Sequence, residues 1–356
     1  MKIIHCADIH LASILEAKLP REKSSKRKSE VLNTFSRMVE YAKDNDIKII
    51  ILSGDVFDKD NPAMKDKDFF YKTIKSYKDI DFLYLNGNHD KEGSYINSDI
   101  ENLKTFNKND FTSYKYNNIV ISGIEMTEEN CKSFYSKLKL NKDNINIVML
   151  HGEVSDSVGM DKIKIDNLKN KNIDYLALGH IHKHQEGIID DRGIFAYPGC
   201  LEGRGFDEIG EKGFIVLDVD KIIKTTFIPF AQRIIHEIDV DVSSAKDLYD
   251  VIKIVKEGTK DIDKKDLMKI NLIGDIDVNL DIDNYEKDIL TALNEFFFVK
   301  VYNKTTLKID MDKLDCDKSL IGEFVRGVYE NETYTDEEKK IIISLGLKVI
   351  TKGVVE

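Results

Sequence analysis

Short apolar runs alternate with amphipathic helical patterns over the first 230 residues. Residues 30–43 predict a helix, because apolar side chains recur on one helical face. Those side chains belong to Val31, Phe35, Met38, Val39 and Ala42. Apolar runs predict strands at residues 2–6, 47–52, 81–85, 118–123, 146–150, 175–178, 195–197 and 213–219. The alternation of strands and helices predicts an α/β domain over residues 1–230.

The pattern changes after residue 230 and predicts two further parts. Residues 231–318 contain predicted strands at 236–242, 268–273 and 299–302 and helices at 245–257 and 285–297, which is typical of a small α+β domain. Residues 319–356 contain two short amphipathic helices, the second opened by a capping box of Thr335 and Glu338. This tail either packs on its own chain or presents a docking face to a partner helix.

Polar motifs begin where several predicted strands stop. The motifs are Asp8-Ile9-His10, Gly54-Asp55-Val56-Phe57-Asp58, Gly87-Asn88-His89-Asp90, His151-Gly152 and Gly179-His180-Ile181-His182. Strand ends form a rigid rim on which layered α/β proteins collect ligands. Each motif alone is a weak signal, since Gly-Asp and Asn-His-Asp also occur in ordinary turns. Their succession along one chain predicts a common site.

The motifs supply oxygen and nitrogen ligands for two divalent cations. We expect Asp8, His10, Asp55 and His182 on one cation, and Asp55, Asn88, His151 and His180 on the other. Asp55 would bridge the pair, because a shared carboxylate offsets the repulsion between two cations. A mixed nitrogen and oxygen set without thiolates favours Mn²⁺, Fe²⁺ or Zn²⁺, with Mn²⁺ as the first choice. Such a centre predicts phosphoester hydrolysis.

His89 is the candidate catalytic residue. Its neighbour Asn88 is a predicted ligand, so the His89 ring can face the substrate and protonate the leaving oxygen, or stabilise charge developing there. Asp90 or Asp58 is expected to orient the His89 ring from behind.

Charge is uneven along the chain. The net charge is −11, with −3 over residues 1–230 and −8 over residues 231–356. One basic cluster stands out, and it is either a solvated helix start or a substrate-contacting surface. Its candidate substrate contacts are Lys18, Arg21, Lys26 and Arg27. The four cysteines are far apart and form no Cys-x-x-Cys pair, which favours free thiols in a reducing cytoplasm. No apolar run is long enough to predict a membrane-spanning helix.

The ordered motifs resemble the signature of the calcineurin-like metallophosphoesterase superfamily. The opening residues 7–13, the 53–62 stretch and the glycine-rich 197–213 stretch look like the SbcD-type DNA repair exonucleases, particularly their YhaO-like branch. This resemblance implies a four-layer α-β-β-α core at 1–230, a capping domain at 231–318 and a helical partner-docking segment at 319–356.

The same resemblance implies an activity and partners. It implies Mn²⁺-dependent 3′→5′ exonuclease and endonuclease activity on DNA, a homodimer, an SbcC-type ATPase partner and a nucleoid-associated cytoplasmic protein. The acidic residues 231–318 depart from the basic surface expected of a DNA-binding cap. Two other functions stay open: a phosphodiesterase or phosphatase for a small molecule, and a scaffold subunit for an ATPase.

Overall fold

The structure, a computed structural model, describes most of the chain. It covers residues 1–11, 13, 19–58, 63–87, 100–277, 280, 282–308 and 318–352, without the side chains of 337, 340, 344, 348, 351 and 352. Four residues predicted above lie outside this part of the chain: Lys18, Asn88, His89 and Asp90.

The described residues form strands and helices in the following order. The strands are β1 Lys2–Cys6, β2 Ile49–Ser53, β3 Asp81–Leu85, β4 Leu103–Thr105, β5 Thr112–Tyr116, β6 Ile119–Gly123, β7 Ile145–His151, β8 Glu153–Val154, β9 Lys162–Ile163, β10 Tyr175–Gly179, β11 Gln185–Ile188, β12 Ile194–Tyr197, β13 Gly213–Val219, β14 Ile223–Pro229, β15 Ile235–Asp241, β16 Leu267–Ile273, β17 Asp275–Ile276, β18 Phe298–Asn303 and β19 Thr306–Leu307. The helices are α1 Arg21–Asp44, α2 Met64–Ser76, α3 Phe134–Lys137, α4 Leu248–Gly258, α5 Ile282–Ala292, α6 Leu320–Tyr329 and α7 Asp336–Lys352. A 3-10 helix covers Ile165–Asn167.

Two six-stranded sheets carry the first part of the chain. The first has the order β14-β13-β1-β2-β3-β4, and the second has the order β11-β12-β10-β7-β6-β5. Strands β1, β2 and β3 are parallel neighbours, as are β7 and β10. Their carboxyl ends therefore lie side by side within each sheet, which is the arrangement that the strand-end motifs require.

The sheets pack face to face and are covered on their outer faces. The apolar layer between them is built from strand residues such as Ile51, Leu83, Met149 and Tyr175. Helices α1 and α2 cover the other face of the first sheet, while α3 and the loop around the 3-10 helix cover that of the second. The predicted α-β-β-α core is confirmed, and its fourth layer is thin because α3 has only four residues.

Helix α1 is longer than its apolar pattern predicted. It begins at Arg21, directly after Pro20, whereas the pattern predicted a start at residue 30. The five predicted inward side chains are all buried. The apolar pattern did not predict the first turns of α1, because the residues buried there include Arg27 and Glu30, which form an ion pair.

Residues after 235 form a second compact unit, His236–Glu356, separate from Met1–Ile235. It contains the three-stranded sheet β15-β16-β18, with the predicted strand and helix types in the predicted order. The short parallel pair of β17 and β19 was not predicted, because two-residue strands carry no readable periodicity. The boundary at residue 230 and a separate tail domain stay predictions.

The tail helices α6 and α7 pack on each other inside the second unit. Val325, Ile343 and Leu347 form their shared apolar cluster. The predicted capping box is present, since the Glu338 amide donates to Thr335 Oγ1 at 3.2 Å and the Thr335 amide donates to Glu338 Oε2 at 2.8 Å. No helix in the described part of the chain is long and apolar enough to cross a membrane.

Candidate metal centre

The candidate centre lies where the carboxyl ends of the two sheets meet. Asp8 follows β1, Asp55 follows β2, His151 ends β7 and His180 follows β10. The two loops of the first sheet are joined by backbone hydrogen bonds, in which the Asp8 amide donates to the Gly54 carbonyl at 3.0 Å and the His10 amide to the Asp55 carbonyl at 3.0 Å. Parallel neighbouring strands therefore deliver these side chains to one place.

The second sheet is tied to the first at the same point. The His180 amide donates to both oxygens of the Asp8 carboxylate, at 2.9 and 3.0 Å. The Nδ1 atom of His151 lies 2.9 Å from the Ser53 carbonyl oxygen. Because Ser53 ends β2 while His151 ends β7, the imidazole orientation depends on both sheets being present.

Four site residues have strained backbones. The φ angle is +50° at Asp8, +50° at His10, +51° at Asp55 and +101° at His180. A left-handed φ is uncommon for residues other than glycine, and it persists only where surrounding contacts enforce it. Half of the eight described non-glycine residues with a positive φ lie in three loops of this region, and such strain is often found at functional sites.

Two glycines make room for the candidate ligand side chains. A Cβ atom at Gly54 would collide with the His151 ring, and a Cβ atom at Gly87 would collide with the Asp55 carboxylate. Gly54 also has a φ of +91°, which favours glycine for a second reason. The close approach of backbone to ligands explains why glycine precedes Asp55 and Asn88 in the motifs.

The candidate ligand atoms in the described part of the chain fall into two overlapping groups. Asp8, His10 and His182 bring one ligand atom each within 4.8 Å of one another, as do Asp8, Asp55 and His151. Asp8 belongs to both groups, whereas the sequence suggested Asp55 as the shared residue. The His180 ring lies edge-on to His151, with 5.4 Å between ring centroids, and its Nε2 is 3.6 Å from Asp161.

The electrostatics of this cluster favour a cation. Burial raises the pKa of Asp8 to about 7, partly offset by His151 and His182. Burial acts to lower the pKa of His151, but its contact with Asp55 outweighs this and raises that pKa to about 9. Asp8 and Asp55 are 1% and 2% exposed. Two buried carboxylates side by side need compensating positive charge, which fits divalent cations on this set of donors.

Asp58 is placed behind His10. Its Oδ1 lies 3.2 Å from His10 Nδ1 and accepts from Arg204 Nη1 at 2.7 Å. Asp58 therefore contacts His10, a predicted ligand, whereas the sequence suggested His89 as its partner. Its predicted action on His89, which lies outside the described residues, stays a prediction.

Arg204 and Glu208 were missed by sequence reasoning. Glu208 is 5% exposed and its Oε1 lies 2.6 Å from His182 Nδ1. Although burial opposes it, the contacts with His182 and Arg204 hold the pKa of Glu208 well below its usual value. Both residues lie in the 197–213 stretch that carried the family resemblance, and charged residues between glycines there were the available signal.

Arg27 corrects one predicted substrate contact. Its side chain is 1% exposed, and its guanidinium donates to Glu30, to Glu202 and to the Gly203 carbonyl. The prediction that Arg27 contacts substrate is wrong, because the side chain is committed to an internal ion pair. Arg21 and Lys26 are exposed, and their contact with substrate stays a prediction.

The fold and this centre define a class of protein. The family profile described as Calcineurin-like phosphoesterase matches residues 1–184, which is more than half of the chain. The chain belongs to this family of phosphoesterases.

The similarity to curated relatives extends beyond residues 1–184. The chain is 26% identical to the "DNA double-strand break repair protein Mre11" of Sulfolobus acidocaldarius, over 97% of this chain and 94% of that protein. It is 25% identical to the protein of the same name from Saccharolobus solfataricus, over 97% and 94%. It is 26% identical to the "Uncharacterized metallophosphoesterase YhaO" of Bacillus subtilis, over 74% and 69%. The similarity to the two Mre11 proteins includes the second unit.

Proposed function

We propose that this chain is a two-metal phosphodiesterase that cleaves DNA, as a 3′→5′ exonuclease and endonuclease acting in DNA repair. The observation that carries the proposal is the convergence of Asp8, His10, Asp55, His151 and His182 on one largely buried cluster of carboxylate and imidazole side chains. Similarity to DNA repair proteins along nearly the whole chain supports DNA as the substrate.

The proposed ligand sets are those predicted from the sequence. Asp8, His10, Asp55 and His182 would hold one Mn²⁺ ion, and Asp55, Asn88, His151 and His180 the other. Membership of Asp8 in both geometric groups makes it central to the pair. Bound cations of this kind polarise a phosphoryl oxygen and lower the pKa of an attacking water.

The remaining chemistry falls to protein side chains. Hydrolysis of a phosphodiester releases an alkoxide unless a proton reaches the leaving oxygen. We assign that proton to His89, with Asp90 as the residue that orients its ring. Arg21 and Lys26, at the exposed start of α1, are proposed contacts to DNA phosphates.

A substrate comparison tests the proposal. Purified protein with Mn²⁺ is expected to shorten linear duplex DNA and also to hydrolyse bis(p-nitrophenyl) phosphate, and chelation should stop both reactions. Hydrolysis of the small ester without any cleavage of linear duplex or single-stranded DNA would favour the alternative, a phosphodiesterase for small molecules. The net charge of −11 is the observation that favours this alternative.

The tail is proposed to bind an SbcC-type ATPase, and the protein is proposed to form a homodimer. Large apolar side chains face solvent on α6 and α7, with Leu320 69%, Ile341 59% and Leu345 51% exposed. These side chains lie apart from the internal cluster of Val325, Ile343 and Leu347, so they are available to another protein.

Replacement of Leu320 and Ile341 by serine is expected to abolish co-purification with such an ATPase. The internal cluster of the tail is untouched, so folding and hydrolysis of bis(p-nitrophenyl) phosphate should be preserved. Val158→Ser offers a control, because Val158 is 78% exposed in the first unit. Persistent co-purification of the double variant would contradict the proposed docking face.

A further inference from the structure

The cation site proposed for Asp8, His10, Asp55 and His182 is called the first cation site. Each of its two histidines has a carboxylate behind its ring. His10 Nδ1 lies 3.2 Å from Asp58 Oδ1, and His182 Nδ1 lies 2.6 Å from Glu208 Oε1. An ionised carboxylate can only accept hydrogen bonds, so Nδ1 is the protonated nitrogen of a neutral His182 ring and its lone pair resides on Nε2. The contact of His10 Nδ1 with Asp58 is an ion-pair contact that places the carboxylate on the same side of the His10 ring.

The two Nε2 atoms face each other. They are 3.1 Å apart, with 4.9 Å between ring centroids. At this distance the two nitrogens either share a proton or, when neither carries one, direct two lone pairs at a cation beside them. Together with the adjacent Asp8 carboxylate, this geometry directs both imidazoles at one cation position.

Arg204 links the two carboxylates. Its Nη1 donates to Asp58 at 2.7 Å, while Nε and Nη2 donate to Glu208 Oε1 at 3.1 and 2.9 Å. The Arg204 amide also donates to Glu208 Oε2 at 2.6 Å. Arg204 Nη2 lies 3.2 Å from His182 Nδ1 because both groups donate to the same Glu208 oxygen, so that proximity is not a hydrogen bond.

The same segment also holds the His182 backbone. Lys212 Nζ donates to the His182 carbonyl at 2.9 Å, and the Cys200 amide donates to it at 3.4 Å. Both Glu208 and Lys212 are buried, with 5% and 4% exposure. His182 is thus fixed at its ring and at its carbonyl by residues 200–212.

We infer that Arg204 and Glu208 are positioning residues of the first cation site. Glu208 holds His182, and Arg204 holds Glu208 and Asp58, the carboxylate behind His10, so that Nε2 of each ring is directed at the cation. The inference rests on the proposed two-metal function and specifies how one of its sites is kept in order. Carboxylates behind ligating histidines fix the tautomer and the ring orientation, and their loss costs about 10–100-fold in metal affinity.

Glu202 offers a matched control in the same segment. It is 1% exposed and accepts from Arg27 at 3.0 Å and Thr34 at 2.7 Å, so it is a buried carboxylate paired with an arginine, like Glu208. It also accepts from the Gln232 amide at 2.6 Å, and none of these three partners belongs to the candidate ligand loops. Glu202→Gln therefore removes a comparable buried charge without touching the site.

The test is a Mn²⁺ titration of the metal-stripped full-length protein, with bound metal counted by elemental analysis. Wild type should bind two ions, and Glu208→Gln should weaken one of them by about 10–100-fold while the other is unchanged. Glu202→Gln should retain both affinities, whatever its effect on melting temperature. In ¹⁵N NMR of the metal-free protein, the His182 ring should be protonated at Nδ1 in wild type and in Glu202→Gln. In Glu208→Gln the population of this tautomer should fall.

The outcomes separate the inference from the proposed function. Unchanged affinities in Glu208→Gln, or equal losses in Glu208→Gln and Glu202→Gln, would overturn the positioning role while the two-metal proposal stands. Failure of wild type to bind two ions would overturn the proposed function and this inference with it. If Glu208→Gln does not fold, Arg204→Lys is used, because it keeps the charge but loses the planar fork, and unchanged affinities there would also overturn the inference.

Discussion

Asp8→Asn is expected to abolish Mn²⁺ binding at the site proposed for Asp8, His10, Asp55 and His182, to weaken it at the other site, and to reduce phosphodiester hydrolysis by about 10³-fold or more. Asp8 is a proposed ligand of the first ion and also lies beside Asp55 and His151 of the second, so its loss affects both ions. Metal-assisted charge stabilisation is worth several kcal/mol, and each ~1.4 kcal/mol changes the rate tenfold. The measurements are metal content and turnover of bis(p-nitrophenyl) phosphate at saturating Mn²⁺.

The same variant should not be less stable when metal is chelated. Burial raises the pKa of Asp8 to about 7, above its value near 3.8 in the unfolded chain. A raised carboxyl pKa means that the ionised group penalises folding, by an amount that grows from about pH 4 to about pH 7 and then stays constant. Asp8→Asn removes this penalty, so its stability relative to wild type should rise across that range.

Asp266→Asn is the matched control for Asp8→Asn. Asp266 is 2% exposed and lies 2.9 Å from His236 Nε2, so it is a buried aspartate beside a histidine, but it belongs to the second unit. It should keep normal metal content and turnover. Full Mn²⁺ occupancy in Asp8→Asn would contradict the assignment of Asp8 as a ligand.

The position of the centre could be predicted from local sequence alone. Apolar runs at 2–6, 47–52 and 175–178 correspond to β1, β2 and β10, and each ends just before a site residue. Buried parallel strands are nearly continuous apolar runs, so their ends are sharp in the sequence. Because neighbouring parallel strands end on one edge, the motifs converge without any knowledge of the intervening loops.

The support behind the ligands could not be predicted in the same way. Glu208 contacts His182 across 26 residues, and Arg204 contacts Asp58 across 146 residues. Contacts of this kind depend on how loops from different sheets meet, which no periodicity encodes. The sequence signal was limited to charged residues within a glycine-rich stretch. A buried charge requires a partner of opposite charge, and the sequence does not identify which residue that partner is.

The burial of Arg27 could have been predicted from its position on α1. It lies four residues before Val31 and eight before Phe35, on the apolar face of α1. A basic residue at this spacing points towards the core, where it needs an acidic partner, which Glu30 and Glu202 provide. The prediction that Arg27 contacts substrate was based on the local charge composition. Composition does not depend on the helical face that a residue occupies, so it did not separate Arg27 from its exposed neighbours.

His89→Ala is expected to reduce cleavage of DNA by about 10²–10⁴-fold, the usual contribution of a general acid, with Mn²⁺ content unchanged. The loss on bis(p-nitrophenyl) phosphate should be much smaller, because p-nitrophenolate is a good leaving group that needs little protonation. Rates on both substrates and elemental analysis of the variant provide the measurements.

The difference between the two substrates decides what His89 does. His236→Ala serves as a control, since His236 belongs to the second unit and pairs with Asp266. Equal losses on both substrates with full metal content would indicate that His89 stabilises the phosphoryl group and does not protonate the leaving oxygen. Loss of metal from His89→Ala would place His89 among the ligands, and unchanged DNA cleavage would exclude it from the reaction.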